Sequence, residues 1–253
     1  MRRVWLELLA AAARAPWLGP ASGGLLGVAG MLVGPWRWWS AAPAALGLGG
    51  LLLEAYAKQA LKSKAAELKA LMESCLQPLV RCLLSLAAKT TRAQRQPALR
   101  DVLWAALTAA LTLADTHGSR ASIYRRRRSD ADDVLEPVPE LSAGRGDAPV
   151  SCFTRGSGEG KDVWAAAEAD IVTFYEDLLR DAPPNMDRSR ARKYRTFITA
   201  PIKSNGSVQG LLTINAENPG DLTSDDAGIM RVVATLCGVA LTLTGGWPGD
   251  AAD

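Results

Sequence analysis

The sequence predicts an α+β protein in three parts: an N-terminal two-helix transmembrane hairpin, a coiled-coil-like helix, and a C-terminal domain of mixed helix and strand. Three observations carry this. Two long uncharged runs lie near the start, an apolar seam of 3.5-residue period follows them, and residues 194–244 hold a β-hairpin and a capped apolar helix.

Residues 15–36 carry no charge, and neither do residues 38–53. At about 1.5 Å per residue the first run spans ~33 Å, enough for a hydrocarbon core about 30 Å thick, while the second gives ~24 Å. Gly19, Gly23 and Gly27, then Gly30 and Gly34, recur four apart, a spacing that lets helices approach closely in lipid. Trp36, Trp38 and Trp39 mark the elbow, where indoles favour the headgroup layer. Glu7 and Arg14 break up the apolar stretch that a signal peptide after Arg2-Arg3 would need. A buried soluble hairpin is the other alternative. Arg2, Arg3 and Arg14 flank one end of the hairpin and Lys58, Lys62, Lys64 and Lys69 the other, with only Arg37 in the loop. The positive-inside rule then puts both termini in the cytoplasm. Residues 1–57 are therefore read as a short N-terminal helix and a two-span hairpin, multi-pass in the inner cell membrane, with the lipid bilayer as a partner.

Residues 58–96 follow as a coiled-coil or linker helix. Leu61, Leu68, Cys75 and Cys82 take the d positions of a heptad, and Ala65, Met72, Leu79 and Leu86 the a positions. A homodimer through the 58–86 helix is expected, against the alternative of an amphipathic helix packed on its own domain. Pro78 falls off the seam and is expected to kink the helix or start a new one.

The net charge of +3 is too weak to argue for nucleic acid as a partner. Abundant Ala, Leu, Arg and Gly suggest a GC-rich bacterial source. Four cysteines with irregular spacing form neither a disulfide framework nor a zinc site, and a single histidine, His117, supports no metal site and no relay. No catalytic residues are expected, and the protein is read as not an enzyme.

In the domain assigned to residues 97–245, with 246–253 as a tail, Pro97 is placed at the first position of a helix. Its apolar face includes Leu99, Leu103, Ala106, Ala110 and Leu113. Residues 120–124 read as a short strand, and Arg125 to Arg128 as a solvated strand end or, alternatively, an anchor for anionic headgroups. Residues 136–162 read as loop, and 163–170 and 171–180 as helical. Residues 194–202 are β-branched and aromatic, Asn205-Gly206 gives a hairpin turn, and 210–215 is the return strand. Thr223-Ser224-Asp225-Asp226 caps a helix over 225–243.

The stretch TFITAPIKSNGSVQGLLTINAENPGDLTSDDAGIMRVVATLCGVAL, within residues 195–243, resembles a GAF domain. So does the glycine-rich loop Gly156–Gly160 ahead of Val163-Trp164, and the resemblance covers roughly Pro97 to Thr244. It implies a GAF-like antiparallel sheet flanked by helices, with a pocket for a small molecule and dimerisation through helices. By family layout the pocket residues are Phe153, Trp164, Phe174, Tyr175 and Thr213. The ligand and any cofactor stay unassigned. The Asn-Lys-Phe motif of cyclic-nucleotide-binding members is missing, and Cys152 precedes Phe153 rather than the histidine of bilin-binding members. Haem binding would need a pocket histidine. Cys152 could suggest the thiol chemistry of sulfoxide-reducing members, but no base or resolving thiol accompanies it.

Gly156–Lys161 lacks the spacing of a phosphate loop, and Gly144-Arg145-Gly146-Asp147 is taken as a chance tetrapeptide. Asp170, Glu176, Asp177 and Asp181 are read as a solvated helix face. The expected function is a membrane-anchored cytoplasmic small-molecule sensor or signalling module of GAF type. It would act as a dimer on a partner signalling protein, without a catalytic output of its own. The alternative is a two-span membrane effector, of the bacterial-defence kind, whose hairpin is triggered by ligand binding to the GAF-like domain.

Overall fold

The computed structural model describes residues 73–114, 118–128, 132–147, 149, 151–187, 189 and 191–248, with helical positions at 59, 63, 66, 69 and 70. The chain divides into two compact units, Met1–Ala70 and Leu71–Asp253. The expected membrane hairpin, its tryptophan elbow and His117 lie outside the described residues. Among those described, one helix is long and apolar enough to cross a membrane, and half of that helix is buried inside the domain.

In the second unit, helix α1 covers residues 73–87 and continues through Pro78, whose ring lies on the exposed side. Cys75, Leu79 and Leu86 are at most 2% exposed and belong to the main core. The second half of the expected seam is therefore spent inside the domain. Burial pushes the Cys75 thiol above its ordinary pKa, as expected for a small hydrophobe rather than a crosslinking thiol.

Helix α2 (Arg92–Ala114) starts five residues before Pro97. Thr91 opens it, with its carbonyl accepting from the Arg95 N–H and its hydroxyl from the Gln94 N–H. Leu99, Val102, Leu103, Ala106, Leu107 and Ala110 are buried in steps of three and four, a stripe facing the core.

Six antiparallel strands follow in the spatial order β3-β2-β1-β6-β5-β4. They are β1 (Arg120–Arg127), β2 (Val134–Gly144), β3 (Phe153–Thr154), β4 (Thr173–Tyr175), β5 (Thr196–Ser204) and β6 (Ser207–Ala216). Helix α3 (Gly158–Glu168) precedes β4, and α4 (Ser224–Thr244) follows β6. Strand β2 falls where the sequence reads as loop. Its Pro137 and Pro139 are tolerated because β3 pairs only with Val134 and Leu135, leaving the outer edge of β2 open. The β1–β2 register also slips between Ser122 and Tyr124, so residues 138–141 bulge opposite Ile123.

The basic block extends β1. Arg125 and Arg127 reach Glu136, and Arg126 lies 2.5 Å from Asp133, so three of the four arginines pair across the hairpin. Residues 171–180 form β4 and turns, not helix.

Helices α1, α2 and α4 share one core with Ala121, Ile123, Ile198, Ala200, Ile202, Leu212 and Ile214. Alternation along the strands sends their neighbours to the opposite face, which α3 partly covers. Thr223 and Asp226 form a complete capping box at the start of α4, and Gly245 ends it in the left-handed conformation. Trp247 then folds back, 3% exposed, and donates to the Gln209 carbonyl at 2.8 Å. The domain therefore reaches beyond residue 245, into the expected tail.

Candidate ligand pocket

A cavity of about 430 Å³ lies between α3, residues 183–187 and 191–194, and the sheet face turned away from α2 and α4. The strands supply its walls by alternation: Arg120 and Tyr124 from β1, Leu211, Thr213 and Asn215 from β6, Phe197, Thr199 and Pro201 from β5, Thr173 and Tyr175 from β4. Residues 121, 123, 198, 212 and 174 point to the helices.

Aromatic rings dominate two sides. Tyr124 and Phe153 sit 5.4 Å apart at 42°. Tyr175 stacks on Phe197 at 4.9 Å, and Tyr194 meets Phe197 edge-on at 6.2 Å. The Tyr175 phenol is raised above its usual pKa by burial and then by the nearby Asp181 and Asp162 carboxylates.

One end of the cavity is charged. Arg120, 7% exposed, donates from Nη1 to the Asp147 backbone oxygen at 2.8 Å and to its Oδ2 at 2.9 Å. Arg145 holds the same carboxylate at 2.5 and 3.3 Å and also donates to Asn215 Oδ1 at 3.0 Å. Its Nη1 donates to the Gly118 carbonyl at 2.8 Å and to the Lys193 carbonyl at 3.4 Å. The Arg145 guanidinium, and then Arg120, hold the Asp147 carboxyl below the usual carboxylate range.

The α3 side is tied down by carboxylates in its first turn and just beyond. Glu159 lies 2.5 Å from Arg192 and accepts from the Asp187 N–H at 2.6 Å. Asp162 accepts from the Asn185 side-chain amide at 2.8 Å. These contacts hold Asn185, Asp187 and Arg192 against α3 at the wall of the pocket. Helix α3 approaches β3 closely through Gly160, where a Cβ would lie 2.0 Å from the Thr154 carbonyl oxygen. That close approach is the physical content of the glycine-rich loop.

Of the residues expected to line the pocket, Phe153, Tyr175 and Thr213 do so. Phe174 and Trp164 do not. Phe174 precedes Tyr175 on a strand, so it must point to the other face, where it packs on the helix-side core. Trp164 is 2% exposed beneath the pocket, donates to the Phe153 carbonyl at 2.8 Å, and has Arg126 and Arg155 over its ring at 5.8 and 5.6 Å.

Arg120, Tyr124, Asp147, Phe197 and Asn215 were not singled out by the sequence. The alternation Arg120-Ala121-Ser122-Ile123-Tyr124 carried a usable signal for two of them. The tetrapeptide at 144–147 supplies Arg145 and Asp147, so its residues are structural. Cys152 is exposed. Asp177 is no solvated carboxylate: it lies 2.6 Å from Arg195, whose hydrogen bond lowers its pKa. Among the described residues no cluster of His, Cys, Asp and Glu could hold a metal ion.

No curated protein sequence matches the chain. Among solved structures it is similar to the GAF domain of an Acinetobacter phosphoenolpyruvate-protein phosphotransferase, at 13% identity and TM-score 0.48, over 70% of this chain and 97% of that one. A free methionine-R-sulfoxide reductase from Neisseria meningitidis in complex with its substrate aligns at 17% identity and TM-score 0.46, over 68% and 90%. A far-red-absorbing dark state with bound biliverdin aligns at 12% identity and TM-score 0.48, over 66% and 99%. A family model described as GAF domain matches residues 96–242, more than half of the sequence. With that match and a sheet carrying helices on one face and a pocket on the other, the chain belongs to the GAF domain family.

Proposed function

We propose that the chain is a small-molecule sensor whose ligand sits in the pocket between α3 and the sheet. The observation that carries this is the cavity itself: about 430 Å³, walled by aromatic rings, with a buried guanidinium at one end. Concave, mostly apolar sites with a few fixed polar groups are the usual form of small-molecule sites. The uncharged runs at 15–36 and 38–53 support a membrane anchor with the sensor domain on the cytoplasmic side.

The sensor acts as a dimer on a partner protein, without catalysis of its own. Because Cys75, Leu79 and Leu86 are buried in the domain, the part of the seam left for dimerisation is Leu61, Ala65, Leu68 and Met72.

The test is native mass spectrometry of the full chain purified from its host in nonionic detergent, beside a Thr213→Trp variant that fills the pocket. A bound small molecule present in the natural protein and lost in the folded variant supports the reading. An equally loaded variant, or an empty natural protein that no metabolite stabilises, overturns it. Removal of residues 1–57 should release the chain from membranes, and its continued sedimentation with them would refute the anchor.

A further inference from the structure

The charged end of the pocket specifies a ligand class, an inference that rests on the pocket reading above. Two guanidiniums, Arg120 and Arg145, lean on the single carboxylate of Asp147. Both are always charged, and their side chains are only 8% and 11% exposed. The cluster thus holds an excess positive charge out of water, a costly state unless an anion meets it.

Arg145 spends all its donor groups on Asp147, Asn215 and the Gly118 and Lys193 carbonyls. It positions the site and offers nothing further. Arg120 spends only Nη1, and its buried Nε has no hydrogen-bond partner. The Asn215 carbonyl is turned toward Arg145, so its amide NH₂, a donor, points the other way. Arg120 and Asn215 are paired across β1 and β6 and both line the cavity, so these two side chains stand together at its charged end.

The opposite wall sets a limit. Glu159 and Asp162 on α3 line the same cavity, and Arg192 is the cation beside Glu159. Asp162 is met by a neutral amide and keeps its negative charge facing the cavity. A second negative charge on the ligand would be opposed there, since the other lining cation, Lys193, is exposed to solvent. Between these ends lie the flat faces of Tyr124, Phe153, Tyr175 and Phe197, which favour a flat, π-bearing body.

We infer that the pocket takes an aromatic or similarly unsaturated monocarboxylate, its carboxylate on Arg120 and Asn215 and its body among the rings. Three probes test this on the full chain in nonionic detergent, by isothermal titration: 2-naphthoate, the neutral 2-naphthamide and the dianionic 2-naphthyl phosphate. The expected result is 2-naphthoate bound at least ~10-fold more tightly than either, the size of one net charge-assisted hydrogen bond.

Arg120→Gln should abolish that difference while still binding 2-naphthamide, which shows that the variant folds. Asp147→Asn removes the competing carboxylate and should tighten 2-naphthoate, a gain that a misfolded chain cannot give. Equal affinity for acid and amide in the natural protein, or weaker 2-naphthoate binding by Asp147→Asn, overturns the anion inference and leaves the sensor reading standing. Binding of none of the three probes overturns this inference, while the sensor reading answers to the mass-spectrometric test above.

Discussion

Gly238 and Gly228 lie on the same helix, α4, yet alanine should act on them in opposite directions. A Cβ at Gly238 would sit 2.0 Å from the Lys203 carbonyl oxygen on β5 and 3.1 Å from its carbon. Ordinary carbon–oxygen contact is about 3.3–3.6 Å, so helix and strand must separate by about 1.3 Å. The obstacle is backbone and cannot rotate away. Met230, Val233, Ala234, Cys237 and Leu241, all at most 1% exposed, would lose their packing as the helix backed off. Overpacking of this kind costs about 1–3 kcal/mol, and the upper part of that range applies. Removing a glycine from a helix interior returns about 1 kcal/mol. Gly238→Ala should therefore lose a net ~1–2 kcal/mol. At Gly228 a Cβ meets nothing within 4 Å, so only the helix term remains and Gly228→Ala should gain ~0.5–1 kcal/mol. For a domain of this size each kcal/mol moves the melting temperature by about 2–4 °C, so the two variants should melt ~5–10 °C apart by circular dichroism. A Gly238→Ala protein that melts at or above the natural one would refute the argument from close approach.

Three further outcomes are expected. Trp164→Phe keeps most of the buried ring but leaves the Phe153 carbonyl without its donor; urea unfolding should show a loss of about 1–2 kcal/mol. Asp226→Ala removes the 2.7 Å bonds from the Thr223 N–H and hydroxyl, and should cost about 1–2 kcal/mol with faster hydrogen exchange in the first turn of α4. Burial pushes the Cys237 thiol up to about 12 from an ordinary value of 9.0. The folded protein then keeps a proton that the unfolded chain has lost, so stability present below pH 9 falls as pH rises toward 12. The slope is about 1.4 kcal/mol per pH unit, and Cys237→Ala should flatten it in urea midpoints taken at pH 8, 9, 10 and 11.

The readable parts of the domain were those where one period governs many residues. The α2 stripe, the Asn205-Gly206 hairpin and the capped last helix each announce themselves locally, and each is present within a few residues of its expected place. The misplaced parts depend on partners distant in sequence. Strand β2 carries two prolines and a bulge, so neither composition nor alternation marks it, and its pairing with β1 defines it. Residues 171–180 hold acids and leucines that suit a helix, but Thr196 donates to the Tyr175 carbonyl and Leu178 to the Arg195 carbonyl, which fixes them at the sheet edge. Family layout put both Phe174 and Tyr175 in the pocket, whereas neighbours on a strand point to opposite faces. The charged end of the pocket was hidden for another reason. Arg120, Asp147 and Asn215 come from three segments, and nothing local to a GRGD tetrapeptide says that Arg145 will fasten them together.

The same alternation bears on how a pocket on one face can speak to helices on the other. Phe197 lines the cavity while Ile198, the next residue, is buried under the helices; Arg120 and Ala121 stand in the same relation, as do Asn215 and Ala216. A ligand that moves a pocket side chain by displacing its strand therefore moves a core side chain one peptide away. Close-packed interiors do not absorb such shifts in empty space. At the α4–β5 crossing, contact is already made backbone to backbone, at Gly238 and Lys203, and no flexible side chain stands between them to take up the displacement. A shift of β5 toward the helix must push α4 as a unit. Arg95 then carries it on, since its Nη1 donates to the Leu243 carbonyl at the end of α4 at 2.9 Å and its Nε to the Lys89 carbonyl between α1 and α2 at 2.9 Å. On the proposed sensor reading, a route from the pocket to α1 would cross the sheet at Gly238 and Lys203, the contact that Gly238→Ala would disturb.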